Sequence, residues 1–248
     1  MKAALVTGGA VRIGRAICLR LACEGWWVAI HCNASVTQAK ALAAEITGKG
    51  GQAEVFTAAL DQPDAPATLI ADVAQRFGGL DCLVNNASLF ADDRLETMAP
   101  ADWDAHMAVN ARAPVFLAQA FAAALPAGAT GNIVNIIDQR VWRLNPLFFS
   151  YTISKAALWA ATRTMAQALA PRIRVNAIGP GPVLRSIHQS EDDFEHERTS
   201  MPLGRGTTPE EIADAVMFIL RAPAMTGQMI ALDGGQHTMW QTPDIRFT

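Results

Sequence analysis

The stretch from residue 3 to residue 14 reads Ala-Ala-Leu-Val-Thr-Gly-Gly-Ala-Val-Arg-Ile-Gly, and it decides which fold we expect. Its first five residues form a short apolar run, which is typical of a buried parallel strand. The glycine-rich turn that follows leads into a helical pattern over residues 15–24. Strand, turn and helix in this order favour a dinucleotide site, in which N–H groups at the helix start face a pyrophosphate. An ordinary connection between a strand and a helix is the alternative.

The same alternation of strand and helix continues along the chain. Because successive units of this kind pack as parallel strands covered by helices, we predict an α/β fold with a doubly wound parallel sheet. At 248 residues the chain has room for one such domain or for two small ones. Further strands are predicted at 26–31, 52–60, 80–84, 132–137, 172–178 and 227–232, and further helices at 37–49, 63–77, 102–124, 151–170 and 209–221.

Composition excludes several classes of protein. The net charge is -3 and like charges do not cluster, which argues against nucleic acid or an anionic membrane as a partner. The four cysteines lack the spacing of a metal or redox site, so we expect no metal and reduced thiols in a cytoplasmic protein. The apolar run at the N-terminus is too short for a signal peptide, and no uncharged apolar segment reaches membrane-spanning length.

Tyr151 and Lys155 are the first candidates for catalysis. If Tyr151 opens a helix, the two side chains share one helix face. A nearby ammonium favours the phenolate, so we expect Lys155 to lower the pKa of Tyr151 and to make it a general acid for a reduction. Asp138 follows a predicted strand thirteen residues before the tyrosine, at the sheet edge where ligands of such folds bind. The alternatives are a helix-start tyrosine beside a solvated lysine, and an aspartate that caps a turn.

The cofactor is expected to be NADP. An acid after the second strand would bind the ribose of NAD, but the sequence there is His31-Cys32-Asn33-Ala34-Ser35. Arg12 lies in the first turn instead, where its guanidinium can pair with a 2′-phosphate. A solvated surface charge is the alternative for Arg12.

Three further features border the same edge. Asn85-Asn86-Ala87-Ser88-Leu89-Phe90 follows the fourth strand, and Phe90 is either a ring that stacks on a planar substrate or an apolar anchor of the loop. Asn110 lies among apolar residues of a helix and needs a hydrogen-bond partner. Residues 184–206 are polar and poorly periodic, which predicts a loop that covers the substrate. Residues 236–248 show no strong pattern and are expected to cover a neighbouring subunit or to be disordered.

Taken in order, these motifs resemble the short-chain dehydrogenase/reductase family. The resemblance spans nearly the whole chain and also includes Arg174-Val175-Asn176-Ala177-Ile178-Gly179-Pro180-Gly181 and Asp233-Gly234-Gly235. It implies one Rossmann-like domain over residues 1–248, with a seven-stranded parallel sheet of order 3-2-1-4-5-6-7 between two helix layers. It also implies a homotetramer or a homodimer.

Four residues narrow the resemblance. Arg12 replaces a glycine of the usual turn and Asp138 replaces the usual serine; with Ser88 and Phe90 they resemble the pteridine reductase branch, which uses NADPH. The chain departs from that branch at Ala34, where a basic residue is common. It also departs from the wider family at Arg185, where threonine is common, and its adenine-capping aspartate is displaced to Asp61.

The resemblance also implies residue roles and an activity, which is hydride transfer from NADPH to a C=N bond of a pterin-like substrate. In it Tyr151 supplies the proton, Lys155 holds the ribose hydroxyls, Asp138 contacts a ring nitrogen or amino group, and Asn110 orders a water behind Lys155. Two alternatives remain, which are a 3-oxoacyl-carrier-protein reductase and an NADP-binding sensor without turnover. The implied cofactor site comprises Gly8, Arg12, Ile13, Gly14, His31, Asn33, Ala34, Ser35, Leu60, Asp61, Asn86, Ala87, Ser88, Tyr151, Lys155, Pro180, Gly181 and Val183. The implied substrate site comprises Arg12, Ser88, Phe90, Asp138 and Tyr151.

Overall fold

Seven parallel strands form a single sheet, in the order β3-β2-β1-β4-β5-β6-β7. The computed structural model describes residues 2–187 and 189–240. This order and the two covering helix layers confirm the predicted Rossmann-like fold. The strands are β1 (Ala3–Val6), β2 (Trp27–Cys32), β3 (Gln52–Thr57), β4 (Cys82–Asn85), β5 (Gly131–Ile136), β6 (Ile173–Pro180) and β7 (Met229–Leu232).

Helices cover both faces of the sheet because its strands are apolar on both faces. In β1, Ala4 and Val6 face the cluster beneath one layer, while Ala3 and Leu5 face the other. One layer contains α1 (Arg12–Cys23), α2 (Val36–Gly48) and α8 (Pro209–Arg221), and the other contains α3 (Ala65–Phe77), α4 (Pro100–Met107), α5 (Ala113–Ala124) and α6 (Phe149–Leu169).

The predicted continuous helix over 102–124 is wrong in one respect. A π-helical turn, Ala108–Arg112, separates α4 from α5 and contains Asn110. Such turns insert an extra residue into a helix and are frequent at functional sites. The predicted strand 52–60 is also too long, since β3 ends at Thr57 and leaves residues 58–61 in a connecting turn.

The segment 184–206 is more ordered than the predicted loop. It contains α7 (Glu191–Thr199), which begins with a capping box between Ser190 and Asp193. None of the residues of α7 is buried, so the sequence of this helix lacks the apolar periodicity by which helices are predicted. Of the terminal residues 236–248, a 3₁₀ turn occupies Gln236–Thr238, and residues 241–248 lie outside the described part. No helix in residues 2–187 and 189–240 is both long and apolar enough to span a membrane.

Candidate active site

A cavity of about 750 Å³ opens at the carboxyl ends of β1, β4, β5 and β6. Parallel strands converge there, so their following turns meet at one edge. A second depression, of about 770 Å³, lies on the outer face of α4, α5 and α6. Its lining contains none of the predicted catalytic residues, and Asp61 is the one predicted cofactor residue in it. The predicted site residues that line the cavity at the sheet edge are Gly8, Arg12, Ile13, Gly14, Asn86, Ala87, Ser88, Phe90, Asp138, Tyr151, Lys155, Pro180, Gly181 and Val183.

The first two turns of α6 place Tyr151 and Lys155 on one face, directed to the end of β5. The Tyr151 hydroxyl donates a hydrogen bond to Asp138 Oδ2 at 2.9 Å. Lys155 Nζ donates to the Ile136 carbonyl at 3.0 Å. Both α6 side chains are buried. The predicted group of Asp138, Tyr151 and Lys155 is therefore brought together.

The predicted net lowering of the Tyr151 pKa is wrong in this structure, because burial outweighs the charge of Lys155. Burial raises the pKa of Tyr151 well above its ordinary value, and the adjoining Asp138 adds to the rise. Burial likewise raises the pKa of Asp138, although the Arg140 N–H opposes it by donating to Asp138 Oδ1 at 2.8 Å. Both groups therefore hold their protons to higher pH than free side chains do.

Lys155 is destabilised as a cation by the same burial. Its pKa falls to about 8, which Asp138 only partly offsets. An ammonium group has three N–H donors. Among the described residues, the Ile136 carbonyl is the one acceptor within hydrogen-bonding distance of Nζ, which leaves donors for a ligand.

Asn110 lies behind the wall of the cavity, where it binds the backbone of Leu89, and it does not line the cavity. Its Oδ1 accepts from the Leu89 N–H at 2.8 Å and its Nδ2 donates to the Leu89 carbonyl at 2.9 Å. Nδ2 also donates to Ser154 Oγ at 3.0 Å, and Ser88 Oγ donates to Oδ1 at 3.2 Å. These contacts use both amide N–H groups of Asn110, which is predicted to order a water behind Lys155. That role stays a prediction.

The glycine turn has the geometry of an anion cradle. Gly8 has φ +60°, and a Cβ on Gly14 would lie 2.2 Å from the Gly8 carbonyl oxygen. Asn86 Nδ2 holds the turn by donating to the Thr7 and Gly8 carbonyls at 2.9 and 3.0 Å. Because no side chain of the described residues caps the first turn of α1, its N–H groups remain available to a ligand.

His31 supports this turn from behind. Its Nδ1 accepts from the Gly8 N–H at 3.2 Å, and its Nε2 lies 3.1 Å from the Ala58 carbonyl, to which it donates. Burial lowers its pKa, which favours this neutral tautomer. Both ring nitrogens thus have internal partners, and the predicted contact of His31 with the cofactor stays a prediction.

The other predicted residues near the adenine end lie outside the cavity lining. Asn33 and Ala34 are exposed after β2 beside Ser35, Leu60 is buried, and Asp61 is exposed. Their predicted contacts with cofactor stay predictions.

Arg12 does not join these residues in this structure. Its guanidinium donates to the Leu184 carbonyl at 2.9 Å and to the Arg185 carbonyl at 3.1 Å, and so ties the glycine turn to the segment after β6. Arg12 lines the cavity, and its pairing with a 2′-phosphate stays a prediction.

Known proteins show which family this arrangement belongs to. A family model described as enoyl-(acyl carrier protein) reductase matches residues 9–237. The chain is 33% identical to the 3-oxoacyl-(acyl-carrier-protein) reductase of Staphylococcus aureus, over 95% of this chain and 98% of that one. A short-chain dehydrogenase/reductase from Serratia marcescens has 35% identity and a TM-score of 0.88, and the match covers 94% of this chain and 97% of that one. The chain belongs to the short-chain dehydrogenase/reductase family.

Another family member is considerably more similar. The FolM alternative dihydrofolate reductase 1 of Brucella suis, solved in complex with NADP, is 51% identical to this chain. The TM-score is 0.96, and the match covers 99% of this chain and 98% of that one. The ligand of that dehydrogenase/reductase is the cofactor that the sequence analysis predicts.

Two features of the cavity and its surroundings in the present protein were not predicted from the sequence. The Phe148 ring stacks on Phe90, with centroids 4.2 Å apart and planes 14° apart, while Tyr151 meets Phe90 edge-on at 4.7 Å. Phe148 adopts φ +53°, which is an outlier for a bulky residue. No sequence signal marks a left-handed phenylalanine, so only the three-dimensional structure reveals this aromatic wall.

The second unpredicted feature is a buried polar cluster behind Tyr151. Ser150 Oγ donates to Asp93, and His106 Nδ1 lies 2.6 Å from Ser150 Oγ. His106 Nε2 accepts from the Ala91 N–H at 3.2 Å, so the proton of this neutral ring is on Nδ1. The cluster joins three separate segments, and only the polarity of these residues within apolar surroundings hints at it.

Proposed function

We propose that the protein is an NADPH-dependent reductase that transfers hydride to a C=N bond of a dihydropterin. The observation that carries the proposal is the partly buried hydrogen bond from the Tyr151 hydroxyl to Asp138 Oδ2. A carboxyl and a phenol, both with raised pKa values, form a pair that can protonate a ring nitrogen.

The residues at the cavity fit the cofactor that this function needs. The glycine turn and the uncapped start of α1 would hold the pyrophosphate, and Lys155 would donate to ribose hydroxyls. NADPH supplies the hydride when it is bound. The chain itself binds the substrate ring, excludes water and supplies the proton.

Tyr151 is the proton donor in this proposal, and Asp138 works beside it. The proton leaves the phenol oxygen, and Asp138 can return one because its own raised pKa keeps the carboxyl protonated over a wider range of pH. Lys155 stabilises the phenolate through its nearby charge, with Nζ 5.7 Å from the centre of the Tyr151 ring. Phe90, at the cavity wall, would contact the flat face of the substrate.

Asp138 also argues against reduction of a ketone as the main activity. A carbonyl oxygen develops negative charge during reduction, and Asp138 would repel that charge at any pH at which its carboxyl is ionised. A nitrogen heterocycle presents N–H and amino groups, which a carboxyl in either protonation state can bind. The 3-oxoacyl substrate named for the S. aureus relative is therefore the second candidate.

Oxidation of NADPH, measured with dihydrobiopterin and separately with an acetoacetyl thioester, tests the proposal. We expect turnover of the pterin, and we expect Asp138→Ser to lose most of it. Turnover of the thioester alone would show a carbonyl reductase, and binding of NADPH without turnover of either would show a sensor. Unchanged pterin turnover in Asp138→Ser would remove Asp138 from the mechanism.

We also propose that the active form is a cytoplasmic homodimer or homotetramer. The outer surface of α5 and α6 exposes Val115, Phe116 and Ile153, which are apolar groups of the kind that oligomer contacts cover. Light scattering of the purified protein measures the number of subunits, and a monomer at working concentration would contradict the proposal.

A further inference from the structure

Two buried carboxamide side chains line the cavity without a hydrogen-bond partner. Gln139 exposes 5% of its surface and Gln236 exposes 9%, and both belong to the cavity lining. Within residues 2–187 and 189–240, Oε1 of neither residue has a partner. In the same described residues, the other buried side-chain atoms of this kind lie outside the lining, on Trp27, Asn85, Asn132 and Arg198. Because buried polar groups nearly always have a partner, this pair at the cavity needs an explanation.

The turn that carries Gln236 is fixed by its own backbone contacts. Asp233 is buried at the end of β7, and its carboxylate accepts from the Gly235 N–H at 3.0 Å and from the His237 N–H at 2.7 Å. The Asp233 carbonyl accepts from the Gln236 N–H at 3.1 Å. The backbone on both sides of Gln236 is therefore held in place, while its carboxamide stays without a partner among the described residues.

The turn that carries the other carboxamide lies beside the first. It is a 3₁₀ turn, Gln139–Val141, which begins after Asp138 and is capped by the bond from the Arg140 N–H to Asp138 Oδ1. The Trp142 ring, directly after this turn, lies 5.1 Å from the His237 ring, so the two turns pack against each other. Both carboxamides thus reach the cavity from neighbouring, well-held turns.

The order of the strands puts these turns on the side of the cavity opposite the glycine turn. The glycine turn follows β1, Asp138 follows β5 and Asp233 follows β7, and the sheet runs β1-β4-β5-β6-β7 in this direction. Gln236 therefore lies beyond Asp138 as seen from the start of α1. A ligand group that meets the two carboxamides would belong to the substrate and not to the cofactor phosphates.

We propose that Gln139 and Gln236 are specificity-determining residues that bind the polar edge of the substrate ring and orient the ring toward Asp138 and Tyr151. A carboxamide offers two N–H donors and one acceptor oxygen, and rotation about its last bond exchanges them. A ring edge that carries N–H and carbonyl groups together can pair with both carboxamides, whereas the lone carbonyl of a thioester cannot. A site of this kind rejects ligands that leave its buried polar groups unpaired. The inference rests on the proposed function and adds the residues that recognise the ring.

Substitution by methionine tests the role of each carboxamide. Gln139→Met and Gln236→Met keep the length of the side chain and remove its hydrogen-bonding atoms. We expect each to raise KM for dihydrobiopterin about tenfold, with a smaller change in kcat. We also expect the thermal midpoint of the free protein to rise, because methionine removes an unpaired buried amide, and the Kd of NADPH to stay constant. Gln75→Met is the matched control, since Gln75 is exposed on α3 outside the cavity lining and should leave all three quantities unchanged.

The outcomes separate this inference from the proposed function. An unchanged KM in either variant removes that residue from substrate recognition and leaves the proposed function standing. A lower thermal midpoint, or failure of a variant to fold, would show that its carboxamide already has structural partners such as a buried water, and would overturn the inference. Weaker binding of NADPH would assign the carboxamides to the cofactor and would also overturn it. Failure of the wild type to reduce dihydrobiopterin overturns the proposed function itself, and this inference with it.

Discussion

Ser150 and Tyr151 are neighbours in the first turn of α6, and each hydroxyl donates to an aspartate carboxyl group. Ser150 bonds to Asp93, with His106 as a third member. Tyr151 bonds to Asp138, with Lys155 nearby. The residue types are alike, but the Tyr151 cluster lines the cavity and the Ser150 cluster does not.

The difference lies in how completely each cluster satisfies its polar atoms. In the Ser150 cluster both ring nitrogens of His106 have partners, and Asp93 also accepts from the Ser150 N–H at 3.1 Å. In the Tyr151 cluster Lys155 is a buried cation with one acceptor in the described part of the chain. A satisfied buried network stabilises a fold, whereas an incomplete one costs stability and stays available to a ligand. We therefore expect mutations in the Ser150 cluster to affect stability and those in the Tyr151 cluster to affect turnover.

Tyr151→Phe should give the largest effect. Loss of the proton donor is expected to lower kcat about a thousandfold, since general acid catalysis is worth about 10² to 10⁴. Steady-state oxidation of NADPH with a dihydropterin measures it, and the thermal midpoint serves as the control for folding. A variant with kcat within tenfold of the wild type would show that the proton comes from elsewhere.

The two clusters also differ in whether they could be predicted from the sequence. The parallel sheet and the Tyr151 group were predictable because apolar runs, glycine turns and a spacing of four residues are local signals. The Ser150 cluster and the stacking of Phe148 on Phe90 depend on contacts between distant segments, for example 57 residues apart for Asp93 and Ser150. The direction of the Tyr151 pKa was missed for a related reason, because burial outweighs a neighbouring charge and is set by the whole fold.

Lys155→Met should raise stability while abolishing activity. The pKa of Lys155 is about 8 in the folded protein, against an ordinary value of 10.5. Between these values the unfolded chain binds a proton that the folded chain has lost, so the wild type becomes more stable as pH rises. Below them both states are charged, and the folded state bears a cost of about 3 kcal/mol, of which the hydrogen bond to Ile136 offsets about 1 kcal/mol.

Denaturant unfolding of the two proteins at several pH values measures this effect. At neutral pH we expect Lys155→Met to be more stable by about 2 kcal/mol, and we expect the gap to narrow as pH approaches 10.5. If the two free energies of unfolding are equal at neutral pH, or if their difference does not change with pH, burial does not destabilise the charge of Lys155 in the free enzyme.

Ser150→Ala should lower stability and leave turnover nearly intact, which is the opposite of Lys155→Met. It removes the partner of both Asp93 and His106, and unpaired buried groups cost about 1 to 2 kcal/mol. We expect the free energy of unfolding to fall by that amount, with kcat much closer to the wild type than in Tyr151→Phe. Thr164→Ala is the matched control, since its hydroxyl is exposed on α6 and, within residues 2–187 and 189–240, bonds only to helix carbonyls. A loss of kcat comparable to that of Tyr151→Phe would abolish the distinction between the two clusters.

The smallest effect is expected from the charge of His106. Burial lowers its pKa below the ordinary 6.5, although Asp93 and Asp102 oppose this. As pH falls through 6.5 the unfolded chain takes up a proton that the folded chain resists, so the wild type loses stability toward acid pH. His106→Gln, which cannot titrate, should lose less stability over the same interval of pH. If the free energy of unfolding depends on pH equally in the wild type and in His106→Gln, burial does not hinder protonation of His106 in the folded protein. The Ser150 cluster would then differ from the Tyr151 cluster less than we infer.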